Sequence, residues 1–393
     1  MRARSLLLLC GLANCVRAGF TAGSGADGAL ADRPAGQAEG ARERWGERPA
    51  CAAIALAEVT LNTGSKLVLS PPGKPPFLYA LVSGEGEVDA DGTYWAPGHP
   101  TRASIRITDS VGCSLSAPVT VGGSTLWLLG GRDSAGKTLD TIYRSGDGRA
   151  WTLAGHLPGP RCFGSAAVFD GRLWYLGGSD AAETQSYAEV WASKDGKSFV
   201  QQGSFPVARY AGGATFHRRR LWIAGGLGDS SAAWTADGAT WTTASKLAVP
   251  VHSTNLLAFK DRLWIPGGHG GSFYADVWSS ADGAAWSVSG ALPSGRECTA
   301  AGVFAGKLWV AGGRHTAVID EVVSGDGAQW IVAGHLPGPS DHGSLVEWNG
   351  RLWYAGAGTQ VLSSADGASW VVEATIASVD SARLAAFTPS ETN

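Results

Sequence analysis

The chain is poor in charge. Only 17% of its 393 residues are Asp, Glu, Lys or Arg, and 31 basic residues against 34 acidic ones leave a formal net charge of −3. With no excess of either sign, the electrostatic footprint of a nucleic-acid or anionic-membrane binder is missing. Beyond the amino end no apolar run comes near the roughly 20 residues that span a bilayer, so no transmembrane segment is expected. No GxGxxG or GxxxxGK motif stands between a strand and a helix, which leaves nucleotide binding without support. The six Cys and eight His fit no zinc spacing, so neither a metal nor another cofactor is expected. What the chain has instead is 56 Gly, 18 Pro and 17 Trp in a composition that is 44% apolar. Turn formers and large aromatics in that proportion argue against long helices, coiled coil and wholesale disorder, and for an all-β protein.

The amino end reads as a processing signal. Met1 to Arg4 is basic, Ser5 to Val16 is mostly apolar with four consecutive Leu, and Val16-Arg17-Ala18 offers small residues for cleavage. Residues 1–18 are therefore expected to be a secretory signal peptide. Cys15 sits in Leu-Ala-Asn-Cys, which is similar to a lipoprotein cleavage box apart from Asn14, so lipid anchoring at Cys15 is the alternative to free secretion or a periplasmic or surface location. Residues 19–50 are rich in Gly and scattered charge and nearly devoid of branched apolar residues. They cannot bury enough surface to offset the entropy of ordering and are expected to be a disordered linker.

From Cys51 to Gly122, short alternating runs (AIALAEVTL, KLVLS, FLYALVSG, ASIRITD, SAPVTV) are separated by Gly, Pro and Asp turns, the spacing of a small β-sandwich. The run VSGEGEVDADGTYWAPG followed by IRITDSVG resembles bacterial Ig-like domains. Cys51 and Cys113, near the first and last strands, are placed to form a disulfide in an oxidising compartment, the alternative being two buried thiols.

The rest of the chain repeats. An apolar-Trp strand ending in Gly-Gly or a close variant recurs six times, with its Trp at 127, 174, 222, 264, 309 and 353, a period that signals a propeller or a solenoid. After each comes an Asp-Gly turn of the form SGDGRAW, SKDGKSF, TADGATW, SADGAAW, SGDGAQW or SADGASW. Before each except the first lies a small-residue strand ending in an aromatic (SAAVF, GGATF, NLLAF, AAGVF, GSLVEW). The first strand has no such partner, whereas ARLAAF (382–387) is left over at the carboxy end. A carboxy-terminal strand that completes the first sheet closes a ring and removes two exposed edges. The expected fold is thus a six-bladed propeller over residues 123–390, closed by its last strand and preceded by the Ig-like sandwich of 51–122.

The Gly pairs, the aromatic of each Asp-Gly hairpin and the segments LPGPR, FPVAR and LPSGR together resemble kelch-repeat propellers, the fold of galactose oxidase and the sialic acid mutarotases. In that fold the loops after Gly-Gly and the segments leading into the innermost strands open on one face, around the central channel. The resemblance places there Arg132 and Asp133, Asp180, Asp229, His269, and Arg314 with His315, and in the second group Arg161, Arg209, His252, Arg296 with Glu297, and Asp341 with His342. Several Arg and His at one mouth suit an anionic or polyhydroxylated ligand. The recurring Arg161, Arg209 and Arg296 can equally be ties between blades, whereas His252, His269, His315 and Glu297 do not recur. His156 and His335 lie in identical AGHLPGP stretches and point to blade duplication.

No segment around Tyr143, Tyr175, Tyr187, Tyr210, Tyr274 or Tyr354 matches the ligand segments of a copper radical oxidase, and a sialidase set is incomplete. Cys162 and Cys298 enter different blades, too far apart to bridge. The reading that follows is a secreted bacterial protein, monomeric, whose loop face binds a protein or a glycan, with no catalytic residue assigned. A carbohydrate-active enzyme such as a mutarotase-like isomerase of sugar acids is the alternative.

Overall fold

The computed structural model describes residues 56–356, 358–376 and 380–389. These residues contain no helix and form 31 strands in eight sheets of three or four strands, as the composition led us to expect. Two small sheets come first. One orders β1 (Val59–Leu61), β7 (Ser114–Val121), β6 (Thr101–Thr108) and β3 (Leu78–Ser83), and the other orders β2 (Lys66–Val68), β5 (Thr93–Trp95) and β4 (Glu87–Val88). Their alternating side chains enclose Tyr94, Ile105, Ile107 and Val119. Cys113 is disulfide-bonded, and Cys51, the partner expected from the sequence, lies outside the described residues.

Six four-stranded antiparallel sheets follow. The second to sixth run in chain order, from β11 (Ser165–Phe169), β15 (Gly213–His217), β19 (Leu257–Phe259), β23 (Ala300–Phe304) and β27 (Ser344–Trp348) outward. The first is assembled from both ends: β31 (Arg383–Phe387) lies antiparallel to β8 (Thr125–Leu129), Arg383 opposite Leu129 and Phe387 opposite Thr125. The inner strands pack side by side, β31 on β11, β11 on β15, and so on through β27, which packs on β31 again. This is a propeller-like arrangement.

Why the markers keep step is visible in the packing. The Trp of each second strand is buried, 0 to 6% exposed. Its indole N–H donates to the carbonyl that ends the inner strand: Trp174 to Phe169 at 2.8 Å, Trp264 to Phe259 at 2.8 Å, and Trp127 to Phe387, from the far end of the chain, at 3.1 Å. Over that ring sits the Gly of an Asp-Gly turn from the adjacent sheet. A Cβ on Gly196 would lie 2.4 Å from the Trp127 ring, and one on Gly148, in the first sheet, 1.9 Å from Trp353 in the sixth. Both glycines have positive φ, so the turn and the contact demand the same residue. The preceding Ser and Asp fix the turn: Ser145 Oγ accepts from Gly148 N at 2.8 Å, and Asp147 Oδ1 from the amides of Arg149 and Ala150 at 2.8 Å each. Each buried Trp removes ~150–250 Å² from water, roughly 4–6 kcal/mol as an upper bound. The Trp and Asp-Gly motifs are the two halves of one contact between sheets.

The small sheets pack against the turns that join first and second strands. Asn62 and Thr388 exchange two hydrogen bonds (2.8 and 2.7 Å), Asp170 N donates to Gly64 O at 3.0 Å, and Arg219 pairs with Glu87 and Asp89. His99 and Pro100 thereby line one end of the channel between the inner strands, a cavity of about 160 Å³.

Candidate functional site

The opposite end of the channel is shaped by six residues in register, each just before an inner strand: Phe163, Ala211, Ser253, Cys298, His342 and Ser381. All are in the left-handed region, with φ between 52° and 57°. That turn lets their backbones link across sheets. Ala211 N donates to Phe163 O, Ser253 N to Ala211 O, Cys298 N to Ser253 O and His342 N to Cys298 O, at 2.7 to 2.8 Å. The residues one step earlier, Cys162, Tyr210, His252, Glu297 and Asp380, form single-residue bridges with Ser179, Leu227, His269, Arg314 and Arg132. Two pairs of the loop positions named from the sequence, His252 with His269 and Glu297 with Arg314, are partners in these bridges.

This scaffold gathers some of the expected residues and separates others. His252 and His269 exchange backbone hydrogen bonds of 2.9 and 3.0 Å, and His269 Nδ1 lies 3.4 Å from His252 Nε2. His252 Nδ1 is 3.0 Å from Ser253 Oγ. Burial and the neighbouring His269 lower the His252 pKa, which favours a neutral ring. Arg314 bonds Asp341 through Nε (3.0 Å) and Nη2 (2.6 Å), and Asp341 Oδ1 lies 3.2 Å from His342 Nδ1. Burial alone lowers the His342 pKa. The Asp341 carboxylate and the Cys298 thiol outweigh it and push the value up to about 9, while Arg314 and His342 hold buried Asp341 down at about 2. Arg132 pairs with Asp380 at 3.0 Å and stacks on Phe163, and His315 packs on Phe273.

Arg161, Arg209 and Arg296 are buried, 5%, 2% and 0% exposed. Arg209 reaches Ser231 O (3.1 Å) and Asp229, Arg296 reaches Ser294 Oγ (2.8 Å) and Glu321, and Arg161 lies on Tyr187 beside Glu189. Their backbones bond the preceding sheet, as in Gly131 N to Arg161 O at 3.0 Å. Side chain and backbone together tie neighbouring sheets. Asp133 and Asp180 cap their own loops, and His156 and His335 pair with Asp140 and Asp320.

Sequence reasoning missed Arg383. It lies in a recess of about 50 Å³ with Phe163, Glu183, Tyr210, Ser253, Thr299 and His342. Its Nε donates to Gly164 O at 2.5 Å and its Nη1 to Gly343 O at 3.4 Å, and among the described residues no carboxylate forms an ion pair with it. Burial lowers its pKa. The signal was present in the alignment of inner strands: Arg383 stands where the other five have Ser165, Gly213, Asn255, Ala300 and Ser344. Of the free thiols, Cys162 is pushed up to about 11 by burial, whereas Cys298 faces the recess.

No protein-family model matches this chain, and no curated protein matches it. A solved structure titled "Structure of YjhT" is similar, with a TM-score of 0.50 and 16% identity over 64% of this chain and 97% of that one. At that identity the likeness speaks to fold alone, and it supports a propeller-like architecture.

Proposed function

We propose that the six larger sheets are blades of a kelch-type propeller closed by β31, that the two small sheets are an Ig-like module, and that the protein is exported and binds an anionic glycan at the channel mouth. The ligand class is carried by Arg383. A guanidinium is always charged and presents a planar fork of donors that fits a carboxylate. Arg132, Arg209, Arg296 and Arg314 are committed to acids of the same chain, whereas Arg383 has only carbonyls as partners among the described residues. The adjacent His342 adds positive charge, and the hydroxyl and carboxyl groups of Ser253, Thr299 and Glu183 suit a polyhydroxylated ring. A recess of about 50 Å³ takes one carboxylate rather than a broad protein surface.

The second reading, a mutarotase-like isomerase of a sugar acid, draws support from the Asp341–His342 pair beside Arg383, a proton donor held in place by a carboxylate. Both are tested on the mature chain with a glycan array, calorimetry against a hexuronate and the matching neutral hexose, and NMR exchange between the anomers. The uronate should bind, the hexose should not, and Arg383→Met should abolish binding at an unchanged melting temperature. Catalysed anomer exchange selects the isomerase. An array on which no acidic glycan is retained, or equal binding of the hexose, overturns the reading, and capture of one stoichiometric protein partner would replace it.

A further inference from the structure

The loop face carries a second constellation, whose three ligating residues have no part in the ligand reading. His252 lies just before the inner strand of the fourth sheet and His269 at the end of β20 (Arg262–His269) in the same sheet, 17 residues later. Their backbones are clamped by the two hydrogen bonds of their bridge, which holds the rings side by side, tilted at 54° with centroids 5.2 Å apart. Glu297 belongs to the fifth sheet. The bond from Cys298 N to Ser253 O (2.7 Å) draws the two sheets together at this level and brings Glu297 beside His252. One ligand atom from each of His252, His269 and Glu297 then lies within 4.8 Å of the other two.

Three features suit an ion. Two ligands about 2.0–2.1 Å from a tetrahedral metal are about 3.3 Å apart, against 3.4 Å between His269 Nδ1 and His252 Nε2. The other nitrogen of His252 is already engaged by Ser253 Oγ at 3.0 Å, the arrangement that orients a ligating imidazole. Glu297 makes no side-chain hydrogen bond or ion pair among the described residues, because neighbouring Arg314 turns to Asp341 instead. A half-buried carboxylate with no hydrogen bond or close ion pair of its own among the described residues thus stands beside two imidazoles, its charge acting on His252.

We propose that His252, His269 and Glu297 bind one divalent transition-metal ion at the channel mouth, zinc being the reference ion. Two nitrogens and one carboxylate favour zinc, iron or cobalt over calcium or magnesium, which seek all-oxygen sites. Three protein ligands leave at least one coordination position open, as in catalytic rather than structural sites.

The test uses the untagged mature chain, stripped with chelator and shown to be folded by its melting curve. Zinc is titrated by calorimetry, and cobalt is added to read its visible d–d absorption. One ion per chain is expected, with a rise in melting temperature that zinc gives and magnesium does not. His269→Ala and Glu297→Gln should each weaken zinc at least about 100-fold, and Ser253→Ala, which removes the hydroxyl that orients His252, roughly 10- to 100-fold. Each variant's metal-free melting curve establishes that it folds. Absence of stoichiometric uptake by the folded wild type overturns the site, as does uptake unchanged in both His269→Ala and Glu297→Gln. Neither readout involves a sugar, so failure here leaves the glycan reading standing, and the reverse.

Discussion

Two rings of residues in the same six sheets follow opposite rules. In the belt, the Trp of one sheet lies under the turn Gly of the next, six times over, with the indole N–H on a strand-ending carbonyl each time. At the mouth, six backbones share a φ of 52° to 57°, yet the residues are Phe, Ala, Ser, Cys, His and Ser. The belt holds the frame through side chains and therefore cannot vary. The mouth is held by backbone hydrogen bonds, so its side chains are free to differ: His252, His269, Glu297, Asp341 and His342 come from the fourth to sixth sheets, and Arg383 and Glu183 from the first and second.

The hardest way to break this division is to open the belt. Truncation after Ser381 removes β31, leaves the Trp127 indole without the Phe387 carbonyl and exposes the edge of β8. The truncated chain should lose its cooperative thermal transition; an intact transition at an undiminished temperature would mean that β31 does not complete the first sheet. Single belt residues come next. Trp222→Ala should cost about 3–5 kcal/mol in urea denaturation. Gly148→Ala, which places a methyl against the Trp353 ring at a φ of 75°, should cost at least about 2 kcal/mol.

A mouth residue should act through charge instead. The folded pKa of His342, about 9, lies above its unfolded value near 6.5. Its contribution is therefore fully present below pH 6.5 and is lost as pH rises through 9. The groups that raise it are Asp341 and the Cys298 thiol, and Arg383 and Glu183 share its recess. Wild type should lose on the order of 1–3 kcal/mol relative to His342→Phe between pH 6.5 and 9.5. A stability difference that does not change with pH would show that His342 is held by packing on Phe163 alone.

The belt was legible in the sequence because its physics repeats. Each Trp, Gly-Gly and Asp-Gly recurs in phase, and the unmatched ARLAAF pointed to the strand that β8 receives. The mouth was legible only as a collection of positions. Both sides of two bridges, His252 with His269 and Glu297 with Arg314, could be named, but that His252 faces His269 while Arg314 turns from Glu297 to Asp341 depends on pairings between segments, which periodicity does not encode. Arg161, Arg209 and Arg296 show the same limit: whether a loop arginine faces solvent or ties sheets is decided by the acid or carbonyl that packing brings within reach, Glu189, Asp229 and Glu321 here. Arg383 escaped notice because it sits in a strand whose value to the sequence reading was closure.

The smallest expected effect is the sharpest discriminator between the rings. Ala211 and Gly148 both have positive φ, 57° and 75°. A non-glycine residue in that region is strained by roughly 1–2 kcal/mol, whereas glycine costs roughly 0.5–1 kcal/mol in chain entropy. Ala211→Gly relieves the first and incurs the second, and both backbone links of Ala211, to Phe163 O and from Ser253 N, survive the change. Its stability should therefore be unchanged or up to about 1 kcal/mol higher. A loss larger than that in urea denaturation would mean that the Ala211 methyl supports the mouth as Trp supports the belt. The variety of side chains around the recess would then have to be explained by packing rather than by ligand.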